Sequence, residues 1–240
     1  MSTVLATPPS FRRMLGNQRG VIIAAIVFLV LLGTVDLISA GPLTYFDISF
    51  LSSGGATSAL AAIGQTIVIL SGGFDLSAGA VISLVNVVLA QAMDPMDMEA
   101  NVLLWTMVGI GIGMLTGAFN GFFIAFLRLQ PIVVTLSTMF IIQGVTLLVM
   151  DKPGGFVSPS LGTFYLGDAV TGWLPMPLVV IGVTLLAWLW LKNTRLGTAI
   201  YAVGSDTDAA AAVGVRVPLV RFLVYVIAGG CYGLAGVFIS

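Results

Sequence analysis

Residues 71–80 read SGGFDLSAGA and interrupt an otherwise apolar sequence, between QTIVIL at 65–70 and VISLVNVVLA at 81–90. An aspartate stands in the middle of this Gly- and Ser-rich decapeptide. Glycines free backbone N–H and C=O groups, and at membrane depth such groups are tolerated only when they are buried in protein or line a wet cavity. The meaning of the interruption therefore depends on whether the chain lies in water or in a bilayer.

The composition indicates a bilayer. Of the 240 residues, 58% are hydrophobic and 8% are charged, whereas an ordinary soluble domain carries about 25% charged residues. So few charges cannot cover a globular surface in water. The net charge of −1 argues against a nucleic-acid partner. The absence of histidine disfavours a metal site or a Ser–His hydrolase, and we expect no cofactor, metal or catalytic residue.

Seven apolar segments predict an all-α polytopic membrane protein. They lie at about 21–39, 54–70, 79–93, 101–127, 131–150, 174–191 and 218–240. If residues 1–20 are cytoplasmic and 21–240 form the transmembrane domain, only Lys152 among the nine basic residues falls outside, as the positive-inside rule requires. The other eight fall inside: Arg12, Arg13, Arg19, Arg128, Lys192, Arg195, Arg216 and Arg221. The final apolar run continues to Ser240, so we expect further helices in the complete molecule.

Asp75, in the interruption, has a structural and a functional interpretation. It could cap the third helix or shape the turn before it, and Ser77 could form the same cap. A charged carboxylate at the bilayer centre would cost at least ~2.5 kcal/mol, so Asp75 otherwise belongs to a polar pathway, as a substrate contact or a proton site. The structural interpretation is the simpler one.

Further polar side chains within the apolar segments have the same ambiguity. They could line a transport path, or they could bond between helices and to their own backbone. Pro131 is expected at the start of a helix, where its missing N–H does no harm. The candidate path residues, with Asp75, are Gln65, Asn86, Asn120, Thr135 and Thr138.

The longest inner loop, NTRLGTAIYAVGSDTDAAAAVGVRVPLVRF at 193–222, predicts a short helix of its own. Ser205 with Asp208 three residues later is typical of a capping box. Alanines at 209–212 favour helix, and Gly214 suits the position just past its end. A helix with an alanine face needs something to bury it. We expect a protein partner, with a membrane-surface helix as the alternative, although small apolar side chains insert poorly.

Three motifs in series resemble the permease subunit of ABC-type sugar importers of the ribose permease type. They are GQTIVILSGGFDLSAGAVISL at 64–84, GAFNGFFIAFLRLQPIVVTLSTMFIIQG at 117–144 and RLGTAIYAVGSDTDAAAAVGVRV at 195–217. The resemblance implies a type II ABC importer-like transmembrane domain, with about ten helices of which seven are present here. It also implies a second permease chain, a cytoplasmic ATPase subunit, a periplasmic solute-binding protein and a bacterial inner membrane.

The resemblance further assigns a coupling loop at 192–217, whose short helix fits a groove of the ATPase. The residues carried over for coupling are Gly204, Ser205, Asp206, Ala209, Ala210 and Gly214, and Asp75 and Asn120 fall near the pathway. No G-x-x-x-x-G-K-[ST] loop occurs, so ATP hydrolysis is expected of the partner and the chain itself is not expected to be an enzyme. The uncharged path residues favour a monosaccharide. The alternative is a proton-coupled secondary transporter that uses Asp75, and an intramembrane enzyme is a weaker third possibility.

Overall fold

The structure, a computed structural model, describes residues 19–38 and 44–240. Arg12 and Arg13 of the predicted cytoplasmic segment lie outside these ranges. The chain divides into two compact units, residues 1–47 and 48–240. In chain order the described elements are α1 Arg19–Ile38, α2 Tyr45–Leu70, α3 Ala78–Ala92, α4 Val102–Ala125, α5 Pro131–Val149, α6 Pro159–Leu166, β1 Asp168–Val170, β2 Leu174–Pro175, α7 Met176–Lys192, α8 Arg195–Ser205, α9 Thr207–Ala212 and α10 Val217–Ile239.

The all-α polytopic fold expected from the sequence is confirmed. Within the described residues, α1, α2, α4, α5 and α10 are long and apolar enough to cross a bilayer. The pair α7 and α8 would form a sixth span if counted together, although it bends by 78° between them. The predicted third segment became α3, which has 15 residues and is shorter than the ~20 residues that a straight crossing needs.

The second helix starts at Tyr45, nine residues before the predicted start at 54. Its first turn is stabilised by Asp47, whose Oδ2 accepts hydrogen bonds from the backbone N–H and the hydroxyl of Thr44 at 2.8 and 2.6 Å. In the next turn the hydroxyls of Ser52 and Ser53 both donate to the carbonyl of Ser49. Because the helix satisfies these polar groups internally, it extends through a stretch that hydropathy alone leaves out.

In the larger unit, α10 is the most buried of the long helices, and more than half of its residues are inside the protein. It packs against α4 along glycine-lined surfaces on both helices. A Cβ at Gly113 would overlap the carbonyl oxygen of Gly229, and one at Gly117 would overlap that of Tyr225. The two backbones therefore touch directly, as small residues permit in membranes. On its other sides α10 packs against α3, and α3 also packs against α5.

The stretch between α5 and α7 is ordered by a short helix and a small hairpin. Leu161 and Tyr165 of α6 are buried, and Tyr165 packs edge-on against Phe238 near the end of α10. The strands β1 and β2 pair antiparallel, and the N–H of Gly172 in their turn donates to Oδ2 of Asp168 at 3.0 Å. These elements close one end of the bundle.

We predict that Gly113→Ala lowers the thermal stability of the detergent-purified protein. The new methyl group would force α4 away from α10, and overpacking of this kind costs ~1–3 kcal/mol. Gly111→Ala is the matched control, because a Cβ at Gly111 on the same helix meets nothing within 4 Å. Thermal unfolding of the two variants side by side checks this. Equal unfolding temperatures would contradict the direct backbone contact.

Candidate functional site

The candidate site is built around the connection at 71–77, which joins α2 to α3. The chain leaves α2 through Gly72, whose φ of +77° favours glycine. The carbonyl of Val68 at the end of α2 accepts hydrogen bonds from the hydroxyl of Ser71 and from the N–H of Gly73, at 2.8 and 3.0 Å. The sequence interruption therefore forms a compact turn whose freed backbone groups are partly satisfied within the protein.

Asp75 is buried in this connection and folds back on its own chain. Its Oδ1 accepts hydrogen bonds from the N–H of Ser77 at 2.8 Å and from the Ser77 hydroxyl at 2.6 Å. The turn interpretation of Asp75 thus describes the geometry, but the predicted helix cap is wrong. Ser77 occupies the N-cap position of α3 and its side chain forms no cap hydrogen bond, because its hydroxyl is turned toward Asp75. Burial raises the pKa of Asp75, and the hydrogen bonds from Ser77 oppose that shift.

Asn120 joins this turn to α4. Its side chain is fully buried, and its Nδ2 donates to the Ser77 hydroxyl at 2.9 Å. Its Oδ1 has no hydrogen-bond partner among the described residues. The Ser77 hydroxyl therefore stands between a carboxylate and an amide, in a chain of buried polar groups that crosses from the connection to a spanning helix. Buried amides of this kind fix helix positions tightly because a lost partner is costly.

The other candidate path residues do not join this cluster by hydrogen bonds. Thr135 is buried on α5, where its hydroxyl donates to the carbonyl of Pro131 on its own helix; Pro131 stands in the first turn, as expected. Thr138 is also buried on that helix. Gln65 accepts from the hydroxyl of Tyr232 at 2.9 Å, and Asn86 donates to the carbonyl of Ile239 at 3.4 Å. These contacts hold α2 and α3 to α10.

The inner loop contains two helices where the sequence predicted one. The first, α8, has a face formed by Gly197, Ile200 and Val203, all buried. The second, α9, is the predicted short helix and has six residues. Its cap is Asp206, whose Oδ1 accepts from the N–H groups at 208 and 209, at 3.0 and 2.9 Å.

The predicted Ser205 capping box is therefore wrong. Ser205 is the last residue of α8, so the break between the two helices falls at Asp206, one residue later than predicted. Asp206 has the extended backbone that a cap requires, with φ −156° and ψ 109°. Gly214 follows α9 with a φ of +88°, as the sequence predicted.

The loop helices pack directly on the connection at 71–77. A Cβ at Gly204 would overlap the carbonyl oxygen of Leu70, so α8 and the end of α2 meet backbone to backbone. The Arg221 guanidinium on α10 donates to the Thr207 hydroxyl at 3.1 Å, and the Tyr225 hydroxyl donates to the carbonyl of Phe74 at 3.2 Å. The role of Tyr225 was not predicted from the sequence, although a tyrosine one turn after an arginine in an apolar run is a detectable signal.

The predicted coupling residues divide into exposed and buried ones. Gly204, Ser205, Asp206, Ala209 and Gly214 are exposed. Ala210 is buried in the core beside the start of α10, so its side chain faces this chain. Val213, which the sequence analysis did not single out, is 80% exposed at the end of α9. The outward face of the loop is therefore small and partly apolar.

A cleft of about 780 Å³ opens beside the loop. It is lined by residues 71–73 of the connection, by residues 124–131 around the turn from α4 to α5, and by parts of α9 and α10. None of the six candidate path residues lines it. Among the described residues, no group of three or more His, Cys, Asp or Glu side chains could hold a metal ion.

Comparison with known proteins gives consistent matches. Residues 48–240 match the family described as Branched-chain amino acid transport system / permease component. In Escherichia coli (strain K12), a galactofuranose transporter permease protein is 38% identical over 187 residues, 77% of this chain and 53% of that protein. The ribose import permease protein is 31% identical over 218 residues, 88% and 66%. The D-allose transport system permease protein is 32% identical over 203 residues, 81% and 59%.

The chain therefore spans between about half and two thirds of the length of these curated relatives. No solved structure matches it. The matches confirm the resemblance to permeases that the three sequence motifs indicated.

We predict that Ser77→Ala destabilises the protein by ~1–3 kcal/mol, because the Asn120 amide loses its only described partner and Asp75 loses a hydrogen bond. Ser83→Ala is the matched control, since the Ser83 hydroxyl bonds only to the carbonyl of Gly79 on its own helix. Chemical or thermal unfolding in detergent compares the two. A Ser77 variant as stable as the Ser83 variant would show that the hydrogen bonds among Asp75, Ser77 and Asn120 contribute nothing to the stability of the protein.

Proposed function

The chain belongs to the family of branched-chain amino acid transport system permease components, and from this premise we propose that it is the membrane-spanning permease subunit of an ATP-driven importer. Its partners are a cytoplasmic ATPase subunit, a solute-binding protein on the outer side and a second permease chain. The membrane is the bacterial cytoplasmic membrane, and the N-terminus lies inside. The chain performs no bond chemistry, and ATP hydrolysis belongs to the partner.

One observation carries this proposal: the inner loop packs directly against the connection that interrupts the membrane helices. Gly204 in the loop touches the backbone at Leu70, and Thr207 is held by Arg221 of α10. Force applied to α9 therefore reaches the end of α2, the connection at 71–77 and the start of α10 together. A motor protein that grips this loop can move several membrane helices at once.

The proposed mechanism follows from that packing. Closure of two ATPase subunits on ATP shifts the α8–α9 unit as one body, because its six-residue helix has no stability of its own and moves with its supports. The connection at 71–77 and the start of α10 follow this shift. Access to the path between two permease chains then changes from outward to inward, as a population shift between two packed arrangements.

The proposed solute is a monosaccharide. The three relatives compared above are named for galactofuranose, ribose and allose, which are all neutral sugars. The candidate path residues other than Asp75 are uncharged amides and hydroxyls: Gln65, Asn86, Asn120, Thr135 and Thr138. An ionic solute would require an opposing charge within the membrane, whereas hydroxyl and amide groups suit a sugar.

The alternative is a secondary transporter in which Asp75 takes up and releases a proton. The burial of the Asp75 carboxylate in a broken helical region favours it. The two hydrogen bonds from Ser77 argue against this alternative, because they favour the charged form of the Asp75 carboxylate and hold it in a local turn. The importer proposal also accounts for the exposed outward face of the loop helices, which the alternative leaves without a role.

We predict that uptake of labelled ribose by cells carrying the complete transporter persists under an uncoupler and stops on ATP depletion. Asp75→Asn should retain ATP-driven uptake, because the amide oxygen can still accept from Ser77. The energy source and the variant are measured in the same uptake assay. Uptake that follows a pH gradient and disappears in Asp75→Asn would overturn the importer in favour of proton coupling.

We further predict that Val213→Asp weakens binding of the ATPase subunit by about tenfold or more, because it places a charge on the apolar outward end of α9. Met96→Asp is the matched control. Met96 is equally exposed and apolar, but it lies in the α3–α4 connection on the predicted outer side. Copurification of the ATPase with each variant is the measurement. Equal retention of the ATPase by both variants would refute α9 as the contact.

A further inference from the structure

The cleft beside the inner loop lies where three membrane helices end. Its wall includes the last turn of α4, the first residue of α5 and the first turn of α10. Arg128 stands three residues after α4, and Arg216 immediately precedes α10. Since α4, α5 and α10 are all spanning candidates, their ends mark the border between hydrocarbon and head groups. The cleft therefore lies at head-group depth.

The charged residues that line the cleft are predominantly positive. They are Arg128, Arg216 and Arg221, opposed by Asp208 alone. Arg221 is held by the Thr207 hydroxyl. The side chains of Arg128 and Arg216 are exposed and form no hydrogen bond or ion pair with other described residues. Arg128 also has a φ of +56°, in the left-handed region that non-glycine residues rarely adopt. Two guanidinium groups are thus available to an anion at one place.

The backbone adds to this positive field. The N-termini of α5 and α10 both face the cleft, and neither N-cap residue forms a side-chain cap hydrogen bond. Helix N-termini favour an anion, although Pro131 and Pro218 have no N–H and the N–H of Val217 donates to the carbonyl of Val215 at 2.9 Å. The helix starts support the arginines here and do not define the site without them.

Much of the remaining lining is apolar and exposed. Phe126, Leu129 and Leu219 line the cleft and are 51%, 46% and 42% exposed. A small, fully hydrated anion would gain no favourable contact from this apolar surface. A molecule with a phosphate group and hydrocarbon chains complements both parts, and basic pockets between membrane helices are known to hold anionic lipid head groups.

We propose that this cleft binds an anionic phospholipid, with its phosphodiester between Arg128 and Arg216 and its acyl chains along Phe126, Leu129 and Leu219. The lipid would then rest against the connection at 71–73 and the end of the coupling loop, which share the same cleft. This proposal rests on the membrane position of the helices and on the cleft residues, and it stands whether or not the importer assignment holds.

The test uses the full chain, purified in detergent and stripped of lipid. Phosphatidylglycerol, phosphatidylcholine and inorganic phosphate are titrated separately, and binding is followed by native mass spectrometry and by thermal stability. We expect phosphatidylglycerol to bind more tightly than phosphatidylcholine and to raise the unfolding temperature. The double variant Arg128→Gln with Arg216→Gln should lose affinity for phosphatidylglycerol on the order of thirty-fold.

Lys192→Gln with Arg195→Gln is the control, since it removes two positive charges from the same loop region but none from the cleft lining. It should retain phosphatidylglycerol binding. Arg128→Lys with Arg216→Lys should restore part of the lost affinity, which separates loss of charge from misfolding.

Four results would overturn the proposal. In the first, the two double variants with glutamine lose affinity for phosphatidylglycerol equally, which indicates general electrostatic attraction to the surface. In the second, the original protein fails to distinguish the two lipids. In the third, inorganic phosphate stabilises it as well as phosphatidylglycerol does, which indicates a free-anion site. In the fourth, phosphatidylglycerol has no effect and the arginine variants lose the ATPase on copurification, which makes the cleft a protein contact.

Discussion

The direct backbone contact between α4 and α10 positions the two side chains that hold the connection at 71–77, Asn120 and Tyr225. Because Gly113 and Gly117 carry no side chain, α10 can lie against α4 at the distance of a carbonyl oxygen. Three residues beyond Gly117, Asn120 then reaches Ser77 in the connection. On the facing helix, Tyr225 stands beside Gly117 and reaches the carbonyl of Phe74. The polar connection at 71–77 is therefore held by both of these closely packed helices, and its geometry depends on their separation.

The buried hydrogen bonds from Asp75 through Ser77 to Asn120 stabilise the interruption between α2 and α3. Without such bonds, the polar groups of the interruption would be unfavourable in a membrane. A helix that ends inside an apolar bundle leaves carbonyl and N–H groups without partners. Side-chain and backbone donors within 71–77 and the hydroxyl of Tyr225 bond to several of these groups. Among the side-chain atoms of the described residues, the buried Oδ1 of Asn120 is left without a hydrogen-bond partner.

The sequence predicted features that depend on composition and local chemistry. Hydropathy located the long helices, Pro131 marked a helix start, and Gly214 marked a helix end, because each depends on the residue itself. The predictions were wrong where tertiary contacts determine the local structure. Asp206, not Ser205, caps α9, because α8 continues through Ser205 while its buried face, ending at Val203, packs on the core. The helix α8 was overlooked, although Gly197, Ile200 and Val203 recur at helical spacing. The partner of Asn120 lies 43 residues away in the chain and could not be inferred from spacing.

The inner loop depends on contacts with other helices for its shape, because little of it could fold alone. A six-residue helix is far below the ~12–15 residues at which isolated helices become marginally stable in water. Its shape is imposed by the Asp206 cap at one end, by burial of Ala210 in the middle and by the turn at Gly214. Each of these supports is anchored to α8 or α10, and α8 is anchored to α2 through Gly204. A displacement of α9 that kept the membrane helices still would have to break these contacts. Moving the helices with it would keep them intact, so the loop is better suited to transmit motion than to absorb it.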